Sequence, residues 1–88
     1  ERLIIADFWA PWCGPCRSMA PSFEEAARQF PLKAQFIKIN TEEQQHLGGR
    51  FGIRSIPTVI AFKNNRIVDQ FSGALPTPQI IAFVKKHL

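Results

Sequence analysis

The apolar positions change period along the chain, and each change marks an element. Leu3 to Trp9 reads Leu-Ile-Ile-Ala-Asp-Phe-Trp, a run of β-formers that predicts a strand buried on both faces, interrupted only by Asp7. Ala10 to Pro15 reads as a turn. Met19, Phe23, Ala26, Ala27 and Phe30 then recur at helical spacing and predict a helix to Phe30 with one core-facing stripe. Pro21 removes the bond to the Arg17 carbonyl and is expected to kink that helix, and Pro31 to close it. Gln35 to Asn40 alternates apolar and polar residues and predicts a second strand. Thr41 with Gln44 has the form of a capping box for a short helix, limited by Gly48, Gly49 and Gly52. Thr58–Phe62 and Arg66–Phe71 are two β runs joined by Asn64-Asn65, residues that tolerate the positive φ of a two-residue hairpin. Thr77 as N-cap and Pro78 at the first helical position open the last helix, with Ile80, Ile81, Val84 and Leu88 as its buried stripe.

The order is therefore β-α-β-α-β-β-α, without repeats or linkers, and predicts one α/β domain over residues 1–88. Strand–helix–strand units followed by a hairpin give a mixed sheet flanked by helices on both faces. Open sheets of this kind place their sites at the carboxyl ends of strands, which here is the turn after Trp9.

Composition narrows the function classes. With 88 residues, 45% of them hydrophobic and 20% charged, the chain supports one small core and is not disordered. No apolar run reaches the ~18–20 residues of a membrane-spanning helix, and no signal-peptide pattern is present. The first residue is Glu1 rather than Met, so an upstream segment is expected to be missing. The net charge of +4 comes from scattered Lys and Arg, of which only Lys85-Lys86 are adjacent. That is a solvated basic surface rather than a stripe that tracks phosphates, so nucleic acid is not an expected partner. His46 and His87 fit no zinc spacing and read as surface residues, while Phe23, Phe30, Leu47, Phe62 and Phe83 read as core.

Two cysteines are too few for a disulfide-stapled scaffold. Cys13 and Cys16 sit three residues apart in Trp9-Ala10-Pro11-Trp12-Cys13-Gly14-Pro15-Cys16, at a predicted helix start. One helical turn brings such a pair close enough to form a disulfide. Cys13 would meet the unsatisfied N–H groups and positive dipole end of the helix, which favour its thiolate. Cys16, one turn inside, suits the resolving role. The chemistry this permits is thiol–disulfide exchange: Cys13 attacks a disulfide of another protein, and Cys16 then resolves the mixed disulfide. Gly14 leaves room for another chain, and Pro15 fixes φ and lacks a competing donor. Asp7 in a buried strand is costly unless paired, and burial should raise its pKa; Lys38 on the neighbouring strand is the expected partner.

Asp7 to Arg17 (Asp-Phe-Trp-Ala-Pro-Trp-Cys-Gly-Pro-Cys-Arg) resembles the active-site signature of the thioredoxin family. So do Lys38-Ile39-Asn40-Thr41, Phe51 to Thr58, the Lys63-Asn64-Asn65 turn and Gly73-Ala74, in family order across nearly the whole chain. Arg17 and Asn40-Thr41-Glu42 look most like the bacterial thioredoxin 2 type, without its N-terminal zinc-binding segment. The resemblance implies a thioredoxin fold with a four-stranded mixed sheet. Family members usually begin with a further strand and helix, which are expected to be lacking here, leaving Gln35–Asn40 as an exposed edge open to pairing between chains. It also implies that Asp7 assists proton transfer at Cys16, and that Ile56-Pro57 is a cis bond facing the cysteines. An extended substrate would then dock in a groove framed by Trp12, Ile56, Pro57, Gly73 and Ala74.

The activity so implied is reduction of protein disulfides, with a flavin-dependent thioredoxin reductase as electron donor, in the cytoplasm and as a monomer. No cofactor or metal is expected, because the dithiol itself carries the two electrons. Two other readings use the same residues. One is a disulfide oxidase or isomerase of an exported compartment, although oxidases of this fold tend to carry a histidine where Gly14-Pro15 stand. The other is a binding module whose cysteines are incidental. A metal-binding C-x-x-C would need two further ligands from another chain.

Overall fold

The computed structural model describes residues 2–88. Its elements are β1 (Leu3–Trp9), α1 (Gly14–Ala27), β2 (Ala34–Asn40), α2 (Gln45–Arg50), β3 (Thr58–Lys63), β4 (Arg66–Ser72) and α3 (Thr77–Lys85), in the order expected. The four strands form one sheet ordered β2-β1-β3-β4. β1 runs parallel to β2 and antiparallel to β3, and β3 and β4 form the antiparallel hairpin.

The apolar run of β1 follows from this order. As an inner strand it loses both faces to the core, with Leu3 and Ile5 on one side and Ala6 and Phe8 on the other. The first face is covered by α1 and α3 through Met19, Phe23, Ala26, Ile80, Phe83 and Val84. Removing each large side chain of this kind from water contributes about 1.5–3 kcal/mol. The second face carries the smaller cluster around Phe8 and Ile60, against which Leu47 and Phe51 pack. Cover is thinner there. A groove of about 290 Å3 reaches Ile4, Ile37, Ile39 and Phe62, so Phe62 is half-buried rather than fully core, and Leu47 is half-buried as well.

Several boundaries differ from those the periodicity predicts. α1 runs unbroken through Pro21 but ends at Ala27, and the Phe30 N–H then bonds back to the Ala27 carbonyl in a tighter turn. Phe30 is still buried, because the turn rather than the helix delivers it to the core. Thr41 and Gln44 do not form a capping box. The Thr41 hydroxyl and N–H both donate to the Trp9 carbonyl at the end of β1, and α2 starts only at Gln45, with Gln44 at its N-cap position and no side-chain cap, so Thr41 lies too far ahead of the helix to cap it. α3 takes Pro76 rather than Thr77 as its N-cap, and Leu88 lies past its end and is exposed. The hairpin is as expected, with Asn64 and Asn65 at φ 55° and 63°. His87 is not a free surface residue. Its Nε2 lies 2.9 Å from Asp69 Oδ2, and its carbonyl accepts from Lys63 Nζ at 3.0 Å, tying the end of α3 to the hairpin. That contact, with Lys86 beside it, holds the Asp69 carboxyl below its ordinary range.

Candidate active site

The turn after β1 is closed by the Cys13 N–H donating to the Ala10 carbonyl at 3.1 Å, which sets Cys13 at the N-cap of α1. Gly14 and Pro15 are the first two helical residues, and proline is tolerated there because its missing N–H would have no intrahelical partner. Cys16 follows one turn in. The two cysteines form a disulfide with Cα atoms 5.3 Å apart. The Cys16 N–H points at Cys13 Sγ across 3.2 Å, so a backbone donor and the helix terminus both face that sulfur and favour negative charge on it when the bond is reduced. Burial scarcely separates the two residues, which are 4% and 3% exposed. What distinguishes them is position at the helix end.

Ile56-Pro57 is a cis peptide bond, as the resemblance implied, and the Ile56 carbonyl oxygen lies 3.7 Å from Cys13 Sγ. The Gly73 N–H donates to the Pro57 carbonyl at 2.9 Å, which brings Gly73-Ala74 beside the cis bond. Gly73 has φ 89°, a conformation that side-chain-bearing residues rarely adopt. Ile56 thus meets the sulfur although it stands far from it in sequence, and Gly73 is tied to that segment through Pro57. Trp12 is 65% exposed at the rim.

Asp7 is fully buried, on the sheet face that α1 covers, and neither carboxylate oxygen has a hydrogen-bond partner among the described residues. Burial raises its pKa to about 6, and the charge of Lys38 opposes this only in part. The expected Asp7–Lys38 pair is therefore looser than a salt bridge. Lys38 is opposite Asp7 in the parallel register, but it is exposed, and its ammonium sits 4.8 Å from the centroid of the Trp9 ring. The face of the indole holds the charge at the sheet edge, where it keeps its water.

One residue of the site escapes sequence reasoning. Trp12 Nε1 donates to the Glu42 carboxylate, 30 residues away in the loop after β2. No motif or spacing links them, since only the parallel pairing of β1 and β2 brings their carboxyl ends together. No cluster of three or more His, Cys, Asp or Glu side chains able to hold a metal occurs among the described residues.

The sequence model of the thioredoxin family matches residues 1–86. The chain belongs to the thioredoxin family. Thioredoxin 1 of Nostoc sp. is 45% identical over 85 residues, covering 97% of this chain and 79% of that protein. Thioredoxin of Haemophilus influenzae is 44% identical over the same length and the same shares. The solved structure of Fasciola hepatica thioredoxin superposes with a TM-score of 0.92 at 33% identity, over 99% of this chain and 82% of that one. The fold is thus the thioredoxin fold. The family and the Cys13–Cys16 disulfide together make this a thiol–disulfide oxidoreductase with protein-disulfide reductase activity, and they do not favour the oxidase, isomerase or binding-module readings. Thioredoxins act on disulfide-bearing proteins and are themselves reduced by thioredoxin reductase.

Proposed function

We propose the following division of labour within that activity. The Cys13 thiolate attacks one sulfur of a substrate disulfide, forming a Cys13–substrate bond and releasing the other substrate sulfur as a thiolate. Asp7, ionised above pH 6, accepts the Cys16 proton, directly or through water. Cys16 then attacks Cys13 Sγ and the second substrate sulfur leaves, so the substrate gains two electrons and the protein is left with its disulfide. Lys38 assists by lowering the cost of charge on Asp7. Trp12, Gly14, Pro15, Ile56, Pro57, Gly73 and Ala74 form the docking surface, along which an extended substrate segment lies. The observation that carries this reading is the cap geometry, with Cys13 at the helix terminus, the Cys16 N–H aimed at its sulfur and the Ile56 carbonyl beside it.

Residues 1–88 form one thioredoxin-like domain in this reading. It works in the cytoplasm as a monomer, without cofactor, metal, nucleic acid or membrane. Among the described residues no helix is long and apolar enough to cross a membrane. β2 lies at the sheet edge, so its Gln35–Asn40 stretch is where a second chain would pair if the monomer assignment fails. Arg17 and Asn40-Thr41-Glu42 support the thioredoxin 2 type, a finer placement resting on those four residues alone.

A coupled assay tests the electron path. With NADPH, a flavin-dependent thioredoxin reductase and a disulfide-bearing protein, NADPH should be consumed in step with substrate thiols released, and only when this protein is present. Thiol release from reduced protein without any coupling to the reductase would contradict the proposed donor. Failure of the reduced protein to release thiols would contradict the division of labour itself.

A further inference from the structure

β4 is an outer strand of the sheet, paired on one side only among the described residues. Such an edge offers N–H and C=O groups to any extended chain, and a second copy of the protein brings an identical edge. Ile67 and Val68 are both exposed on β4, so the edge is apolar as well as unpaired. Two features nevertheless oppose pairing there. Ala61 faces Asp69 while Phe62 faces Ile67, so Val68 is left over as a bulge that breaks the register. Next to it, the exposed N–H of Gln70 is already in use, donating to Asp69 Oδ1 at 2.8 Å. Aspartate is depleted in strands because its short carboxylate bonds nearby backbone in place of the ladder, and here it does so at the edge itself. The other carboxylate oxygen is held from α3 and the turn that follows it, by His87 Nε2 at 2.9 Å and Lys86 Nζ at 3.3 Å. His87 is placed in turn by Lys63, which donates to its carbonyl, and by the Phe83 ring, 5.9 Å away between centroids.

We propose that Asp69, held by His87 and Lys86, is an edge guard that keeps a second copy of this chain from adding its own β4 to this one. The proposal goes beyond the redox chemistry and does not depend on it. A strand docking on β4 would aim a carbonyl oxygen at the Gln70 N–H. It meets a carboxylate there instead, which accepts hydrogen bonds, donates none and repels that oxygen. The end of α3 keeps the guard in place, because a carboxylate bonded to His87 and Lys86 cannot swing away from the edge without breaking those contacts. The bulge at Val68 and the capped N–H at Gln70 thus interrupt the same short stretch of edge, the one beside the exposed Ile67.

Amide hydrogen exchange followed by NMR reads the cap in the wild-type protein without any variant. The Gln70 amide is expected to exchange about tenfold more slowly than an unbonded N–H, and to lose that protection in Asp69→Ala. In sedimentation equilibrium Asp69→Ala should self-associate about tenfold more tightly than wild type, with new amide protection along β4. Asp69→Asn keeps an oxygen within reach of the Gln70 N–H and should restore most of the wild-type behaviour. His87→Ala leaves the carboxylate in place but loosens its hold, so it should fall between, and it decides the matter if Asp69→Ala does not fold. The guard is overturned if Gln70 exchanges as an unbonded amide in wild type, if the folded Asp69→Ala or His87→Ala protein is as monomeric as wild type, or if association runs through β2 rather than β4. In each of these cases the reductase reading stands, since it draws on neither Asp69 nor His87.

Discussion

Cys16→Ser is expected to turn a catalyst into a trap. Cys13 keeps its place at the N-cap of α1, with the residue-16 N–H facing its sulfur, so attack on a substrate disulfide proceeds. Resolution does not, because a serine hydroxyl cannot displace a thiolate from Cys13. One equivalent of a covalent protein–substrate disulfide should accumulate, visible by non-reducing electrophoresis and released by excess dithiol. Cys13→Ser should show the opposite asymmetry, with neither turnover nor adduct. The contrast separates a redox pair from a structural staple, since two incidental cysteines would give two similar variants. Trapping through Cys16 in the Cys13→Ser protein would invert the assignment of attacking and resolving residues.

Asp7→Asn should make the protein more stable and a slower catalyst. Burial raises the folded-state pKa from 3.8 to about 6, so the folded state holds a proton that the unfolded chain has released between those values. Stability from this group is fully present below pH 3.8 and is lost as pH rises through about 6. At pH 7 the ionised, unpartnered carboxylate therefore costs about 3 kcal/mol relative to its neutral form. Asparagine carries no charge to desolvate. Denaturant unfolding should show a gain of about 2–3 kcal/mol at pH 7, little change at pH 4, and a flatter profile between. Disulfide reduction near neutral pH should slow by up to about 10²-fold, as for loss of a general base, and recover as pH approaches that of a free thiol. A variant that is less stable and fully active would remove Asp7 from the mechanism.

Legibility in the sequence followed the range of the interaction. The β1 run, the Asn64-Asn65 hairpin and the cysteine pair at a helix start are local, and the chain folds as they predict. The apolar continuity of β1 was also informative, because only an inner strand hides both faces. Local signals failed where a distant group took the residue. Thr41 has the sequence of a cap, but its pairing to the end of β1 fixes it to the sheet and α2 begins only at Gln45. Lys38 is the obvious partner for Asp7, yet the Trp9 ring and solvent hold it at the edge. His87 reads as surface until Asp69 meets it from β4. Glu42 could not be found from the sequence, because its bond to Trp12 exists only once β2 lies beside β1. The glycine pair in α2 is visible in the sequence as a limit on helix length, and the helix is six residues long.

The most direct test of the central claim is an equilibrium redox titration of the protein in dithiothreitol and glutathione buffers. Trp9 and Trp12 flank the disulfide and report its state by fluorescence. A single reversible two-electron transition close to the value characteristic of thioredoxin, about −270 mV, is the result predicted for a protein-disulfide reductase. A midpoint near the ~−120 mV of strong oxidants, or a folded protein with no reversible couple, would contradict it.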